Sequence, residues 1–212
     1  MRSRRRPWMR NELMTTPYLA EYPMENRGRW KEIFGNGNPL HIEIGCGKGM
    51  FIVENARRFP EVNFLGIEKE ATVIASALRF AREQGDFPNL LFAAVNADSM
   101  GYIFENGEAA RLYLNFSDPW AGRKKWAKRR LTHRNFLEVY KQILNPREIF
   151  FKTDDRPFFE FSLAEFSASG FALDNITYDL HGSEFAAQNI ATEYESFFAA
   201  QGKPICRVEA RG

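Results

Sequence analysis

Two stretches of this chain combine residue types that do chemistry. The first is Glu43-Ile44-Gly45-Cys46-Gly47-Lys48-Gly49, which follows an apolar run and opens a helical pattern. In that context glycines let the backbone come close to a bound ligand. A dinucleotide fingerprint would need its third glycine at Met50, and here it falls one residue earlier, at Gly49. The phosphate-loop pattern with its closing Lys-Ser or Lys-Thr is absent. Glu68 ends the next apolar run, where an acid accepts hydrogen bonds from both ribose hydroxyls. Asn96 and Asp98 end the third, and either suits an adenine amino group. Together these residues describe a nucleoside site.

The second stretch, Leu114 to Arg130, reads LNFSDPWAGRKKWAKRR. An apolar strand runs there into Asn115, Ser117, Asp118 and Trp120, which offer acceptors and a flat ring at one point and so suit a planar heterocycle. The six cations from Arg123 to Arg130 suit a phosphate backbone. The three histidines, His41, His133 and His181, have no partner pattern and are expected in surface or core roles. Phe158, Phe159, Phe161 and Phe166 are expected in the core.

These residues need a scaffold, and the sequence supplies one. Apolar strand runs at Leu40–Ile44, Asn63–Glu68, Leu90–Asn96, Arg111–Phe116 and Ile149–Thr153 alternate with helical patterns at Met50–Phe59, Glu70–Gln84, Met100–Phe104, Thr132–Leu144 and Phe158–Ser169. Two β-rich runs, Phe171–Leu180 and Pro204–Glu209, flank a helix over Thr192–Gln201. Alternation at this interval implies βαβ units and a mostly parallel sheet covered on both faces. Residues 1 to 35 read as a basic N-terminal arm that orders on binding, with one short helix, and residues 36 to 212 as the folded domain.

Charge is segregated. The net charge is only +2, with 29 basic and 27 acidic residues. Five arginines lie in residues 1 to 10 and seven basic side chains in residues 121 to 134, with no acid in either window. The rest of the chain therefore carries 17 basic against 27 acidic residues, a balance of −10. Two basic patches on an acidic body favour a localised polyanion site. Cys46 and Cys206 are too few for a disulfide framework, and they lack metal-ligand spacing. A cytoplasmic setting without metal is expected. No apolar stretch is long enough to span a membrane, and the N-terminal arginines are not followed by an apolar signal segment.

The E-x-G-x-G-x-G turn resembles motif I of class I methyltransferases, which hold S-adenosylmethionine (SAM). Leu114–Arg130, with Phe151-Lys152-Thr153-Asp154 and Thr192-Glu193-Tyr194-Glu195, resembles the tRNA (guanine-N7)-methyltransferase family of the bacterial TrmB type. The similarity runs from Arg2-Ser3-Arg4-Arg5-Arg6-Pro7-Trp8 to Gln201-Gly202-Lys203-Pro204-Ile205. It implies an α/β, doubly wound, mostly parallel seven-stranded Rossmann-like sheet with helices on both faces. It further implies that Glu43, the glycine turn, Glu68, Asn96 and Asp118 contact SAM. A basic residue after Trp120, either Arg123 or Lys124, would contact the guanosine or its surroundings together with Asp154 and the run Thr192 to Glu195. The implied acceptor is the guanosine at position 46 of the tRNA variable loop. Two departures stand out: Asn96 occupies a position where the family usually has Asp, and Ala121-Gly122-Arg123-Lys124 is one residue longer than the common pattern.

The chemistry fits these residues. Guanine N7 carries an in-plane lone pair, so methylation needs no general base, and alignment contributes roughly 7 to 11 kcal/mol of barrier lowering. Carboxylates such as Asp118 or Asp154 would stabilise the positive charge that moves onto the purine. Trp120 or Trp126 would stack on an exposed base. Two alternatives are a methyltransferase acting on an exocyclic amine and a non-catalytic RNA-binding protein of the same fold. The Asp118-Pro119-Trp120 turn is similar to an amino-methylating motif but lacks its second proline. Either a monomer or a homodimer accommodates these readings.

Overall fold

The computed structural model describes residues 7–122 and 124–212 and, at Pro7 and Lys124, the backbone alone. The arginines at positions 2, 4, 5 and 6, Arg123, and the side chain of Lys124 lie outside the described residues. The chain divides into two compact units, residues 1–104 and 105–212.

In the first unit, α1 (Pro7–Thr15) and α2 (Trp30–Phe34) precede β1 (Leu40–Ile44), α3 (Met50–Arg58), β2 (Asn63–Glu68), α4 (Ala71–Gln84), β3 (Leu90–Ala94) and α5 (Met100–Ile103). The three strands pair in parallel, Leu40 against Asn63 and Phe64 against Leu90, so their carboxyl ends lie at one edge. They read as continuous apolar runs because both faces are covered. Ile42, Leu65 and Phe92 are fully buried, with Ile52 from α3 and Ile74 and Leu78 from α4. Gly66 is required by this packing, since a Cβ there would sit 2.7 Å from the Phe92 ring and 3.0 Å from Cys46 Sγ.

The described part of the stretch read from sequence as a basic arm, from Pro7 onward, packs onto this unit. Glu12 pairs with Arg82 of α4 at 2.6 Å, and the Arg79 guanidinium lies 5.5 Å over the Trp8 ring. The Tyr18 hydroxyl donates to the Gly85 carbonyl at 2.9 Å, and Leu19 forms a parallel bridge with Phe92. That bridge covers the outer edge of β3, which would otherwise present unpaired backbone groups. Apolar anchors at Met9 and Tyr18, both buried, decide the outcome.

The second unit runs β4 (Ala109–Asn115), α6 (Arg134–Ile143), β5 (Leu144–Thr153), α7 (Arg156–Ala168), β6 (Ala172–Thr177), α8 (Glu193–Ala199) and β7 (Cys206–Arg211). β4 and β5 are parallel, while β7 runs antiparallel to β5 and β6. A rosette of Phe151, Phe158, Phe159 and Phe166 forms the core, with Phe151 and Phe158 centroids 5.2 Å apart. Asp155 caps α7 by accepting from the Phe158 amide at 2.7 Å, Pro157 sits in the first turn, and Gly170 follows the end with a φ of +85°. The basic stretch read as a loop is a 3₁₀ helix over Lys124–Arg129.

The seven strands lie in the order β3-β2-β1-β4-β5-β7-β6, a mixed and mostly parallel α/β sheet. Among the described residues no helix is long and apolar enough to cross a membrane, and no group of three His, Cys, Asp or Glu side chains is arranged to hold a metal ion.

Candidate active site

At the end of β1 the chain makes a tight turn. The amides of Gly45 and Cys46 both donate to the Ile67 carbonyl, at 2.7 and 3.1 Å, and the Gly49 amide closes back on the Cys46 carbonyl at 2.9 Å. Gly45, Gly47 and Gly49 have φ values of +80°, +56° and +85°, in the left-handed region that favours glycine. They differ in surroundings. A Cβ at Gly49 would press on Ala77 and Phe92 at 3.2 and 3.3 Å, so this glycine also lets the turn pack on α4 and β3. Among the described residues nothing lies within 4 Å of a Cβ added at Gly45 or Gly47, so the surface over the turn is open to a ligand.

Acids gather at the same edge. Glu43, just before the turn, is buried at 2% exposure, and Glu68 closes β2 with its Oε1 accepting from the Glu70 amide at 3.1 Å. Both lie close enough to Cys46 to act on it. Burial pushes the Cys46 thiol well up, and the negative charges of Glu43 and then Glu68 add to that. Cys46 therefore stays a neutral thiol and is no nucleophile. Beyond β3, Asn96 and Asp98 are linked, the Asn96 amide donating to Asp98 Oδ2 at 3.0 Å, so they present their acceptors as a pair. Glu43, Glu68, Asn96 and Asp98 thus lie at or just beyond the carboxyl ends of three parallel strands.

In the second unit β4 and β5 end side by side, with Asn115 opposite Lys152. Directly beyond them come Phe116-Ser117-Asp118-Pro119-Trp120 and Asp154. Phe116 and Trp120 both take left-handed backbone angles, φ +51° and +45°. Such geometry in bulky residues is held by its surroundings and clusters at functional sites. Asp118 Oδ1 accepts from the Trp120 amide at 2.8 Å, and Arg130 donates to the Pro119 carbonyl at 2.7 Å. The Ser117 Oγ is buried without a hydrogen-bond partner among the described residues, a hydroxyl that a ligand at this strand end would satisfy. Asp154 has the Lys203 ammonium 3.4 Å from its Oδ2, whereas its neighbour Asp155 is taken up by the helix cap.

The basic run separates into two kinds of side chain. Arg130 lies 4.3 Å over the Phe161 ring, and Arg134 forks onto Glu165 at 2.7 Å, so these two serve the fold. Lys125, Lys128 and Arg129 are exposed. The Arg129 guanidinium covers one face of Trp120 at 4.7 Å, and Trp126 packs over Gly122, whose φ of +108° only glycine tolerates well.

The run from Thr192 to Glu195 is also divided. Thr192 and Glu195 form a capping box at the start of α8 and are buried, Glu195 completely. The Lys152 ammonium reaches Glu195 Oε2 at 2.6 Å, the Asn189 side chain at 3.0 Å and the Ile190 carbonyl at 2.9 Å. Glu195 Oε1 takes the Asn189 amide and has His181 Nε2 3.1 Å away. Thr192 and Glu195 therefore hold the helix, and Glu193 and Tyr194 between them are exposed.

Comparison with known proteins follows this geometry. Residues 37–208 match the model of a family described as "Putative methyltransferase". A tRNA (guanine-N(7)-)-methyltransferase of Geobacillus sp. (strain WCH70) is 47% identical, the match covering 100% of this chain and 96% of the relative. One of the same description from Streptococcus agalactiae serotype III is 46% identical over the whole of both chains. The chain belongs to the tRNA (guanine-N(7)-)-methyltransferase family. Among solved structures, an antibiotic-related methyltransferase aligns with a TM-score of 0.61 at 20% identity, covering 87% of this chain and 92% of that one. The 16S rRNA methyltransferase KamB aligns with the same score and coverage at 13% identity. At that identity the likeness concerns the fold, a Rossmann-like methyltransferase sheet.

For a member of this family, several residues that shape the site carry weak sequence signals. Lys152 offers one, a cation inside an apolar strand between Phe151 and Thr153. His181 and Phe116 offer none that separates them from ordinary loop residues.

Proposed function

We propose that the chain transfers the methyl group of SAM to N7 of a guanosine in tRNA, forming 7-methylguanosine, with the guanosine at position 46 of the variable loop as acceptor. The observation that carries this reading is the glycine turn, open above Gly45 and Gly47 and flanked by Glu43 and Glu68, in a chain similar over its full length to proteins of that name. The turn fits a nucleoside-bearing ligand: the strand-end acids are acceptors for ribose and amine hydrogens, and among the described residues nothing lies within 4 Å of a Cβ added at Gly45 or Gly47. Glu68 would hold the ribose, Asn96 with Asp98 the adenine edge, and Glu43 the remaining polar groups. Bound there, SAM supplies an electrophilic methyl on a sulfonium.

The chain's own residues orient and stabilise. No proton has to leave guanine N7, so no side chain serves as a general base. Asp154 at the end of β5 accepts hydrogen bonds from the guanine edge and stabilises the positive charge that builds on the ring. Lys203 beside it orients the carboxylate. Thr192 and Glu195 position the exposed pair Glu193 and Tyr194 toward the same substrate, and Arg123 or Lys124 meets its phosphate. The substrate is the tRNA of the cytoplasm.

The test is methyl transfer from labelled SAM into tRNA followed by identification of the modified nucleoside. The expected product is 7-methylguanosine, and label on an exocyclic amine, or none, would overturn the reading. Asp154→Asn should lower kcat on the order of a hundredfold while SAM affinity stays unchanged. Full turnover in that variant would remove Asp154 from the mechanism.

A further inference from the structure

Four aromatic rings meet beside Asp154, and two of them face solvent. Tyr194 and Phe197 on α8 are each 61% exposed. Phe198 lies between them and the end of β4. Its ring stacks on Tyr194 with centroids 6.4 Å apart and 26° between planes, and on Phe116 at 6.3 Å and 27°. Phe197 meets Phe198 edge-on at 5.4 Å. The Lys203 ammonium lies 4.3 Å over the Phe198 ring while also reaching Asp154. One lysine therefore links the carboxylate proposed to hold the acceptor guanine to the aromatic cluster.

We propose that this cluster is a stacking platform for a second, unpaired nucleobase of the RNA, one that flanks the acceptor guanosine; the proposal rests on tRNA being the substrate. Exposed aromatic rings side by side on a seven-residue helix leave apolar surface in water that a partner would cover. Three features choose RNA over an apolar protein surface. The rings of Tyr194, Phe198 and Phe116 are stacked within 27° of parallel, with Phe197 edge-on beside them, which offers a flat heterocycle both a face and an edge. A cation sits at the cluster. Phe116, on which Phe198 stacks, opens the segment that continues through Trp120 toward the exposed cations Lys125, Lys128 and Arg129, so one ring of the cluster belongs to the same stretch as the basic run. The internal ties of Glu195 to Lys152 and of Thr192 to the Glu195 amide fix α8, and with it the platform. With the acceptor's edge assigned to Asp154, a base on the α8 rings belongs to a neighbouring nucleotide splayed out when the acceptor is reached.

The test uses the full chain and an unmodified tRNA transcript, with equilibrium binding and single-turnover methylation read separately. Phe197→Ala should weaken tRNA binding about 5- to 150-fold, the range for losing one base–aromatic stack, with SAM affinity unchanged. Phe197→Trp should restore it, whereas Phe197→Leu, which keeps apolar area without a flat ring, should not. A transcript with an abasic site next to the acceptor guanosine should bind the wild type more weakly but lose nothing further with Phe197→Ala. Binding within twofold of wild type in Phe197→Ala, or additive losses in the abasic pair, would overturn the platform. So would self-association lost in Phe197→Ala with RNA binding intact, which would make the rings a contact between two copies of the chain. If the wild type bound tRNA in this pattern but placed no methyl on N7, the functional reading would fail and the platform would stand.

Discussion

His133 caps α6 by accepting the Asn135 amide on Nδ1 at 3.2 Å, a bond available only while that nitrogen is unprotonated. Burial lowers its pKa from the ordinary 6.5, Arg134 and Lys128 push the same way, and Glu165 opposes them. Glu165 is itself lowered from 4.5, first by its hydrogen bond to the Arg134 side chain and further by the Arg134 amide, against the opposing effect of its own burial. Both groups have folded pKa values below their unfolded ones. Their contribution is complete above the unfolded pKa and is lost as pH falls through the folded one. Stability should therefore decline from just above pH 6.5 downward through His133, and again below 4.5 through Glu165. Urea unfolding across this range should show both phases. His133→Asn keeps a capping acceptor without the titration, so it should flatten the upper phase and leave the lower one. An unchanged upper phase would assign it to another group.

At the scale of elements, the Lys152–Glu195 pair decides whether α8 is held. Lys152 is 5% exposed and Glu195 is fully buried, so removing one partner leaves an uncompensated charge in the interior. Lys152→Met should cost about 3 to 5 kcal/mol of unfolding free energy. Lys152→Met with Glu195→Leu should regain most of that loss, because neither charge then remains; thermal or urea unfolding of the three proteins measures it. A double variant no more stable than Lys152→Met would mean that Glu195's other contacts, to Asn189 and His181, dominate. This pairing joins residues 43 positions apart, so it lay beyond a sequence reading that placed Thr192 and Glu195 with the substrate. The elements themselves were largely legible, because their periods are clean: Leu40–Ile44 and Asn63–Glu68 are strands with the boundaries read from the sequence. β5 begins at Leu144, five residues before the apolar run at Ile149, because Leu144 finds a partner in Ala109, and a pairing partner leaves no mark in local composition. Residues 7–20 were obscured for a related reason: their apolar anchors are scattered among Pro, Arg, Asn, Glu and Thr, without a period.

For the molecule as a whole, the described cations of the basic run are not used alike, and the arginines at positions 2, 4, 5 and 6 of the other basic stretch lie outside the described residues. Arg130 and Arg134 are bound to the Pro119 carbonyl and to Glu165, leaving Lys125, Lys128 and Arg129 as exposed cations of the run. Exposed cations that neutralise phosphates release counterions, and each such contact steepens the dependence of affinity on salt by roughly one in the log–log slope. A tRNA titration between low and physiological salt should therefore fall steeply. Lys125→Ala and Lys128→Ala should each reduce the slope by about one. Phe197→Ala acts through stacking and should lower affinity at every salt concentration without changing the slope. The two kinds of variant thus separate the electrostatic surface from the aromatic one within a single experiment. A flat salt profile for the wild type would remove the basic run from RNA binding, and a slope change in Phe197→Ala would tie the α8 rings to phosphate contacts rather than to a base.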